Sequence, residues 1–445
     1  TSPVELELDS LKLVADKIRG ELKPLIHLSG NQAVVESYSG TFFIRDSRGK
    51  FSYLEQGGEE RFILEDISGS LGFDSKEAAL YTEGIEFSLN GNPVKISGRI
   101  DELLTDNMEI IAHLKSNQFQ PGELDFLPGY LNFDGIVALD ISLAGRVDNL
   151  AMNLDLSMAE GSINNISLEN LTGKLRYNQG NFYLDKLNFI LGDTGQISVH
   201  GIYNRNHNYS FYLEGHYIDL SLLQKSGITG QDSLVSLPAL ELSGKLNIMA
   251  NLVGHGLARA ELLASGELEI VEPEIHLPSL GFNFTKLKSS FYLTGRRLLL
   301  REGELSGQWG KLAFGGELGP ELDLDFYGDS LNPAVLLAET SLDIEPDPDL
   351  KGKLRLSGPV QGDLASPRLE LSLLSEEGTL YGMHYDSLSA RLNYIDGEVT
   401  VEELTLNYLD NLIQGTASIG LPSGKPFINA LISSDSLDIK TILNM

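Results

Sequence analysis

The chain has 445 residues, of which 42% are hydrophobic, so it contains enough apolar side chains to fold. It carries 63 acidic and 33 basic residues, a formal net charge of −30. This negative charge argues against a nucleic-acid partner, which needs a basic surface to displace the counterions of phosphate. Cysteine is absent, which excludes disulfides, zinc–thiolate sites, iron–sulfur clusters and a cysteine nucleophile within this sequence.

The sequence begins with TSPVELEL, without Met and without the apolar stretch of a signal peptide. We therefore expect a targeting segment to lie upstream. No apolar run approaches the roughly 18 residues that a membrane-spanning helix requires. The first segment with helical periodicity is LVADKIRGEL, Leu13–Leu22, where we predict a helix.

A unit of roughly 105 residues recurs four times along the chain. The pattern Leu-x-x-x-Leu-x-Tyr begins at Leu171 and Leu388, with looser copies at Ile67 and Leu287. Each unit ends in a short segment for which we predict a helix: FQPGELDFL from Phe119, IDLSLLQ from Ile218, LNPAVLLA from Leu331 and LDIKTIL from Leu437. GITGQDS (Gly227–Ser233) and EPDPD (Glu345–Asp349) have the composition of connectors. The predicted repeats are 1–127, 128–230, 231–345 and 346–445.

Between these landmarks, apolar and polar residues alternate with a period of two, as in GIVALDISLAG from Gly135. Strict alternation is typical of antiparallel strands with one apolar and one wet face. We predict seven or eight strands per unit in an all-β fold with few short helices. The apolar face could be covered in stacked sandwiches or coiled in a solenoid. A long, curled, mainly antiparallel sheet that forms a groove fits the single repeat period best.

The alternation changes parity once within each unit. It breaks most clearly at Glu402–Glu403 and Asp185–Lys186, and similar breaks occur near Thr82–Glu83 and Arg301–Glu302. One extra residue that returns the side chains to the same face is the sign of a β-bulge, which bends a strand. The alternative is a short turn between two separate strands.

The run Leu350–Leu406 resembles the repeating unit of the AsmA-like superfamily, especially its TamB branch. The likeness lies in the Leu-Ser-Gly strand, in Ser366-Pro367 and in Asp386-Ser387-Leu388 before a Leu-x-Tyr hairpin. IDLSLLQ resembles the short helix that closes a unit there. The resemblance extends more weakly over the whole chain.

The resemblance implies a groove protein in the periplasm of a diderm bacterium, anchored in the inner membrane through an N-terminal segment that this sequence lacks. Such a protein would carry phospholipid acyl chains between the inner and outer membranes and support outer-membrane biogenesis. An Omp85-type outer-membrane barrel is the implied partner, within a translocation and assembly module that serves protein secretion.

The candidate lining of this groove consists of the apolar residues of the alternating strands. They are Leu71, Phe73, Leu139, Ile141, Leu154, Leu156, Leu175, Tyr177, Leu187, Phe189, Leu246, Ile248, Phe291, Leu293, Leu322, Leu324, Phe326, Leu354, Leu356, Leu392, Tyr394, Leu404 and Leu406.

The sequence contains no recognisable catalytic motif. The eight His residues show no HxH, HxxxH or HExxH spacing, and no nucleophile elbow, phosphate-binding loop or dinucleotide fingerprint occurs. The acidic residues fall mostly on the polar strand face, where solvation is their default role. We therefore predict no catalytic residues, no metal and no cofactor.

Two other functions remain open from the residues. A scaffold or chaperone for outer-membrane or autotransporter proteins would present strand edges to its clients. A secreted carbohydrate-binding β-protein would need aromatic side chains on the polar face, and the chain has one Trp.

Overall fold

The computed structural model describes residues 4–7, 11–14, 18–29, 32–55, 58–103, 105, 107–121, 132–225, 241–256, 262–276, 282–295, 297–319, 321–338, 350–363, 366–380, 382–395, 398–408, 411–420 and 427–434. It is 84% strand and 3% helix. The chain divides into unit 1, Thr1–Phe211, and unit 2, Tyr212–Met445. The three proposed repeat boundaries, both connectors and the last predicted closing helix lie outside the described residues, as does most of the first closing segment.

The described strands follow one another in chain order. The first fourteen are β1 (Val4–Glu7), β2 (Leu11–Val14), β3 (Ile18–Ser29), β4 (Gln32–Glu55), β5 (Gly58–Asp74), β6 (Ala79–Leu89), β7 (Asn92–Asp101), β8 (Glu109–Phe119), β9 (Phe133–Gly135), β10 (Val137–Arg146), β11 (Asn149–Ile163), β12 (Ile166–Asn178), β13 (Asn181–Leu191) and β14 (Gly195–Tyr203).

The remaining strands and the two described helices complete the order. They are β15 (Asn208–Asp219), α1 (Leu220–Lys225), β16 (Glu241–His255), β17 (Leu263–His276), β18 (Phe282–Asn283), β19 (Lys286–Thr294), β20 (Arg297–Gly307), β21 (Gly310–Leu318), β22 (Leu322–Leu331), α2 (Pro333–Ala338), β23 (Lys351–Asp363), β24 (Ser366–Leu380), β25 (Met383–Tyr385), β26 (Ser387–Ile395), β27 (Glu398–Tyr408), β28 (Asn411–Gly420) and β29 (Phe427–Ser434).

Within each unit the strands form an open antiparallel sheet in which neighbours along the chain pair. The last strand of the first repeat, β8, pairs with the first long strand of the second, β10. In unit 2 the same junction joins β22 to β23. Because the sheet runs on from one repeat to the next inside each unit, these repeats are not separate sandwiches. The all-β, antiparallel fold class is confirmed.

The described strands number eight in the first repeat and seven in each of the other three, as predicted, and six in each repeat are long. The first repeat uses β3–β8 and the second β10–β15, while the third and fourth start at β16 and β23. The short strands β18 and β25 pair with β17 and β24 and continue the line of the long strand that follows each of them.

The parity breaks are β-bulges in all four repeats. Each lies inside one continuous eleven-residue strand, β6, β13, β20 or β27. In the last of these, Val401 pairs with Ala417 and Leu404 with Gly415, so Glu402 and Glu403 together face a single residue. The same two-against-one mismatch occurs at 185–186, at 83–84 and at 301–302. The alternative of a short turn is therefore excluded.

The bulge of β13 is fixed by an ion pair on the polar face. Arg176 donates from Nε to Asp185 Oδ2 at 2.5 Å and from Nη2 to Oδ1 at 2.6 Å. These hydrogen bonds lower the pKa of Asp185 below its usual value, which is about 3.9 in an unfolded chain. The carboxylate therefore stabilises the fold above that value, and the contribution is lost as the pH falls through the lowered folded pKa.

We expect Asp185→Asn to reduce the free energy of unfolding by about 0.5 kcal/mol at pH 7, since the Asp185 side chain is 38% exposed and solvent screens the pair. The difference from the wild type should shrink below about pH 4 and vanish in stronger acid. Urea denaturation across this pH range checks the result. A difference that persists unchanged in acid would contradict the ion-pair origin.

The helix predicted at Leu13–Leu22 is wrong. The described part of this segment belongs to β2 and β3, and Leu11 pairs with Leu22 and Val14 with Arg19. The apolar spacing suits a helix locally, but β3 also pairs with β4 along its length. The hydrogen bonds of these two ladders decide in favour of strand.

Two of the predicted closing helices are confirmed as α1 and α2. Each begins after a polar residue that caps it: Asp219 Oδ1 accepts from the Ser221 N–H at 2.9 Å, and Asn332 Oδ1 accepts from the Ala334 N–H at 3.1 Å. The residue before each cap is buried, Ile218 at 5% exposure and Leu331 at 1%. The two repeats therefore end in the same local structure.

Candidate functional site

The alternation places an apolar face along the sheet of unit 1. Ile141 pairs directly with Leu154, Leu154 with Leu175 and Leu175 with Leu184. Directly paired residues of antiparallel strands project to the same side. The row continues on the other side of Ile141 to Leu114 of β8, so the face crosses the junction between the first two repeats without interruption.

Unit 2 carries an equivalent face. Leu356 pairs with Leu373, Leu373 with Ala390 and Ala390 with Leu404. Aromatic side chains are part of it, and the Phe314 and Phe326 rings stack with centroids 5.9 Å apart. This face likewise crosses the junction between the third and fourth repeats, where Gly328 pairs with Leu356.

Every candidate lining residue lies on the apolar face of its own unit, and none is exposed. Unit 1 contributes Leu71, Phe73, Leu139, Ile141, Leu154, Leu156, Leu175, Tyr177, Leu187 and Phe189. Unit 2 contributes Leu246, Ile248, Phe291, Leu293, Leu322, Leu324, Phe326, Leu354, Leu356, Leu392, Tyr394, Leu404 and Leu406. Their role as a lipid lining stays a prediction.

The degree of burial shows that much of this face is uncovered. Leu154 and Leu156 in the middle of β11 are only half-buried, whereas Asn153 and Asp155 on the other face are exposed. In a stacked sandwich the central side chains of a strand would be fully buried. Half-burial means that neighbouring side chains cover each Leu laterally while part of it remains accessible.

Fully buried side chains of unit 1 lie mostly at one end of the strands, which we call the closed rim, whereas unit 2 also has a buried cluster nearer the other end (Ala250, Ala264, Phe291, Leu300 and Phe314). In unit 1 the closed rim is formed by a cluster of Val137, Met158 and Leu168. In unit 2 Trp309 and Leu331 pack there with Leu354, and Leu336 of α2 packs against them. The capped helix therefore covers the end of the apolar face at this rim.

The opposite ends of the strands form the open rim, which includes the turns at 146–149, 178–181 and 203–208 in unit 1. Large apolar side chains at this rim of unit 1 are less covered than those at the closed one. Phe182 is 40% exposed and Val147 is 54% exposed. The difference between the rims could not be foreseen from the sequence, although the Ile-Asp and Leu-Asn pairs that precede α1 and α2 are a usable signal for the closed rim.

Glycines on the apolar face allow the strands to approach closely. Gly316 of β21 pairs with Leu324 and has φ 136°, a conformation that other residues rarely adopt. A Cβ at this position would overlap the carbonyl oxygen of Asp323. Gly98 of β7 is similar, with φ 156° and the carbonyl oxygen of Ile111 in the way. Glycines and bulges at such positions are the features that allow a sheet to bend.

The opposite, outer face is polar and carries cross-strand ion pairs. Lys174 Nζ lies 3.0 Å from Asp155 Oδ1, and Lys95 Nζ lies 3.1 Å from Glu86 Oε1. A few apolar side chains interrupt it, such as Ile111 at 59% exposure. The acidic residues that were expected to serve solvation are therefore partly engaged in holding neighbouring strands in register.

The described residues hold no cluster of three or more His, Asp or Glu side chains arranged to bind a metal ion. His113 Nε2 lies 2.5 Å from Asp140 Oδ1, and His216 Nε2 lies 2.9 Å from Glu214 Oε1. Both pairs are on exposed strand surfaces. In the part of the chain that is described, no helix is long and apolar enough to cross a membrane.

Comparisons with protein-family models, with curated proteins and with solved structures find no match to this chain.

Proposed function

We propose that this protein is a non-catalytic lipid-transfer protein whose apolar face holds the acyl chains of phospholipids. The observation that carries the proposal is the continuous apolar face within each unit, set against a polar outer face; in unit 1 most side chains of this face are only half-buried. Exposed apolar patches of this extent on a soluble surface mark binding sites for apolar partners. Acyl chains fit this face because they require a long, continuous apolar surface and no specific polar groups.

The energetics favour movement of an acyl chain along the apolar face over tight binding at one position. Burial contributes about 0.8 kcal/mol for each methylene removed from water. A lining built from Leu, Ile, Val and Phe offers nearly the same free energy at each row, so an acyl chain can move from one row to the next without a deep trap. Polar head groups would remain at the open rim, where they stay hydrated.

The cellular setting is proposed from the resemblance to the TamB branch. It places the protein in the periplasm, bridging the inner and outer membranes, with an Omp85-type barrel as outer-membrane partner. The net charge of −30 and the absence of Cys are compatible with a hydrated, oxidising compartment.

Mass spectrometry of the material that co-purifies with the chain in mild detergent tests the proposal. We expect phospholipid in molar excess over the chain, since several rows of each face can be occupied. Recovery of a client protein without lipid, or of neither, would contradict it.

A scaffold for outer-membrane proteins is the second candidate, and one observation favours it. β29 is paired on one side with β28, and the described pairings leave its other edge open. Leu431 and Ile432 of this strand are 73% and 65% exposed. An apolar edge strand can accept an extended segment by β-augmentation, and a client protein bound at this edge would be the outcome that supports this candidate.

A further inference from the structure

The row of the apolar face nearest the open rim in the second repeat contains three aromatic side chains. Tyr177 pairs with Phe182 across β12 and β13, and Phe182 pairs with Tyr203 across β13 and β14. The Tyr177 and Phe182 ring centroids are 4.8 Å apart. Tyr has an apolar ring and a polar hydroxyl, so it favours positions where apolar material meets water. This row is therefore suited to a position where acyl chains meet water.

The two turns beyond this row have an unusual composition. Residues 178–181 and 204–208 contain Asn and Gln at six positions together with Gly180, Arg205 and His207, and they contain no carboxylate. The whole chain carries a charge of −30. The corresponding turn of the first repeat includes Asp74 and Glu77. The second repeat thus provides a local region that does not repel an anion.

Arg205 is held in place by the neighbouring turn, 178–181. Its backbone N–H donates to Asn181 Oδ1 at 3.4 Å. Gly180, at φ 80°, leaves room for its stem, since a Cβ there would lie 2.9 Å from Arg205 Cβ. Arg146 and Arg176 of the same repeat each have a carboxylate partner, whereas no described carboxylate forms an ion pair with Arg205.

His207 lies beside the aromatic row. Its Nδ1 atom is hydrogen-bonded to the Tyr203 hydroxyl at 2.8 Å, and the two ring centroids are 6.1 Å apart. The last aromatic residue of the apolar row is therefore linked directly to the polar turn that carries Arg205. We call Tyr177, Phe182, Tyr203, Arg205 and His207 the rim station.

We propose that the rim station binds the phosphate group of a phospholipid whose acyl chains lie on the apolar face. A guanidinium matches phosphate oxygens in a two-point geometry, and the surrounding amides add neutral donors. The aromatic row receives the first methylenes below the head group. This inference rests on the proposed function and adds that head groups are recognised at a fixed position along the open rim of unit 1.

The test measures binding of dihexanoyl phosphatidylglycerol, below its micelle concentration, to the whole chain by calorimetry. We expect Arg205→Gln to weaken this binding about tenfold, because one charge-assisted contact to phosphate is lost. Arg368→Gln is the matched control. Like Arg205, Arg368 is an exposed arginine that has no ion pair with a described carboxylate, but it lies near the start of β24 in unit 2. Its replacement should therefore leave the affinity unchanged.

Two further probes distinguish a failure of the rim-station proposal from a failure of the proposed function. Dihexanoylglycerol, which lacks phosphate, should bind the wild type and Arg205→Gln equally, and inorganic phosphate alone should bind far more weakly than the phospholipid. If Arg205→Gln binds the phospholipid as tightly as the wild type does, or if inorganic phosphate binds as tightly as the lipid, the rim station is refuted while the lipid groove stands. If the wild type binds neither acyl probe, the proposed function itself fails.

Discussion

Replacing Leu154 and Leu324 together with Asp is expected to reduce the phospholipid bound to the chain about tenfold or more. Both side chains lie on the apolar face, one in each unit, and both are half-buried. A carboxylate there must either be desolvated against the acyl chain or hold water in the groove, and an unpaired charge in apolar surroundings costs several kcal/mol. The measurement is the amount of phospholipid crosslinked through a photoreactive acyl chain.

The matched control adds the same charges to the other face of the same strands. Asn153 is exposed on β11, and Tyr327 is 50% exposed on β22. Asn153→Asp with Tyr327→Asp should bind phospholipid like the wild type. Circular dichroism of both double variants should show a native sheet, because half-buried positions tolerate a polar side chain better than a closed core does. Equal lipid binding by the two double variants would contradict the proposal that acyl chains occupy the apolar face.

Gly316→Ala is expected to lower the free energy of unfolding of unit 2 by about 2–4 kcal/mol. The new Cβ would overlap the Asp323 carbonyl oxygen, and φ 136° is unfavourable for Ala. The β21–β22 ladder must therefore open or shift at this point. Urea denaturation can be followed through Trp309, the chain's single Trp, which is 4% exposed in unit 2.

Gly315→Ala provides the neighbouring control. A Cβ at Gly315 would meet only the Leu300 carbonyl oxygen, at 3.5 Å, an ordinary contact. We expect its effect to stay within about 1 kcal/mol. If both variants unfold at the same urea concentration, close approach of the strands at Gly316 is not what requires glycine there.

The strand faces and the bulges could be predicted because both are local signals. A period of two decides which side chains share a face, and the adjacent Glu402 and Glu403 shift that period by one residue. The same reasoning failed for Leu13–Leu22, where spacing alone fits a helix. The pairing of Leu11 with Leu22 decided the outcome there, and such a pairing is invisible in the spacing.

The rims could not be predicted because they depend on contacts between turns that are distant in the sequence. Arg205 packs against Gly180, 25 residues earlier in the chain, and Trp309 reaches Leu331 and Leu354. Alternation also could not distinguish an uncovered face from a sandwich, since both require the same pattern. The half-burial of residues such as Leu154 and the pairing of strands across the repeat junctions separate them.

The central claim, that acyl chains occupy the apolar face, is tested most directly by a photocrosslinking scan along β11. A photoreactive amino acid is placed in turn at Met152, Asn153, Leu154, Asp155 and Leu156 in chain carrying labelled phospholipid. We expect crosslinks at 152, 154 and 156 and none at 153 and 155, because alternate residues face opposite sides of the sheet. Crosslinks of equal strength at all five positions, or at the odd positions alone, would contradict it.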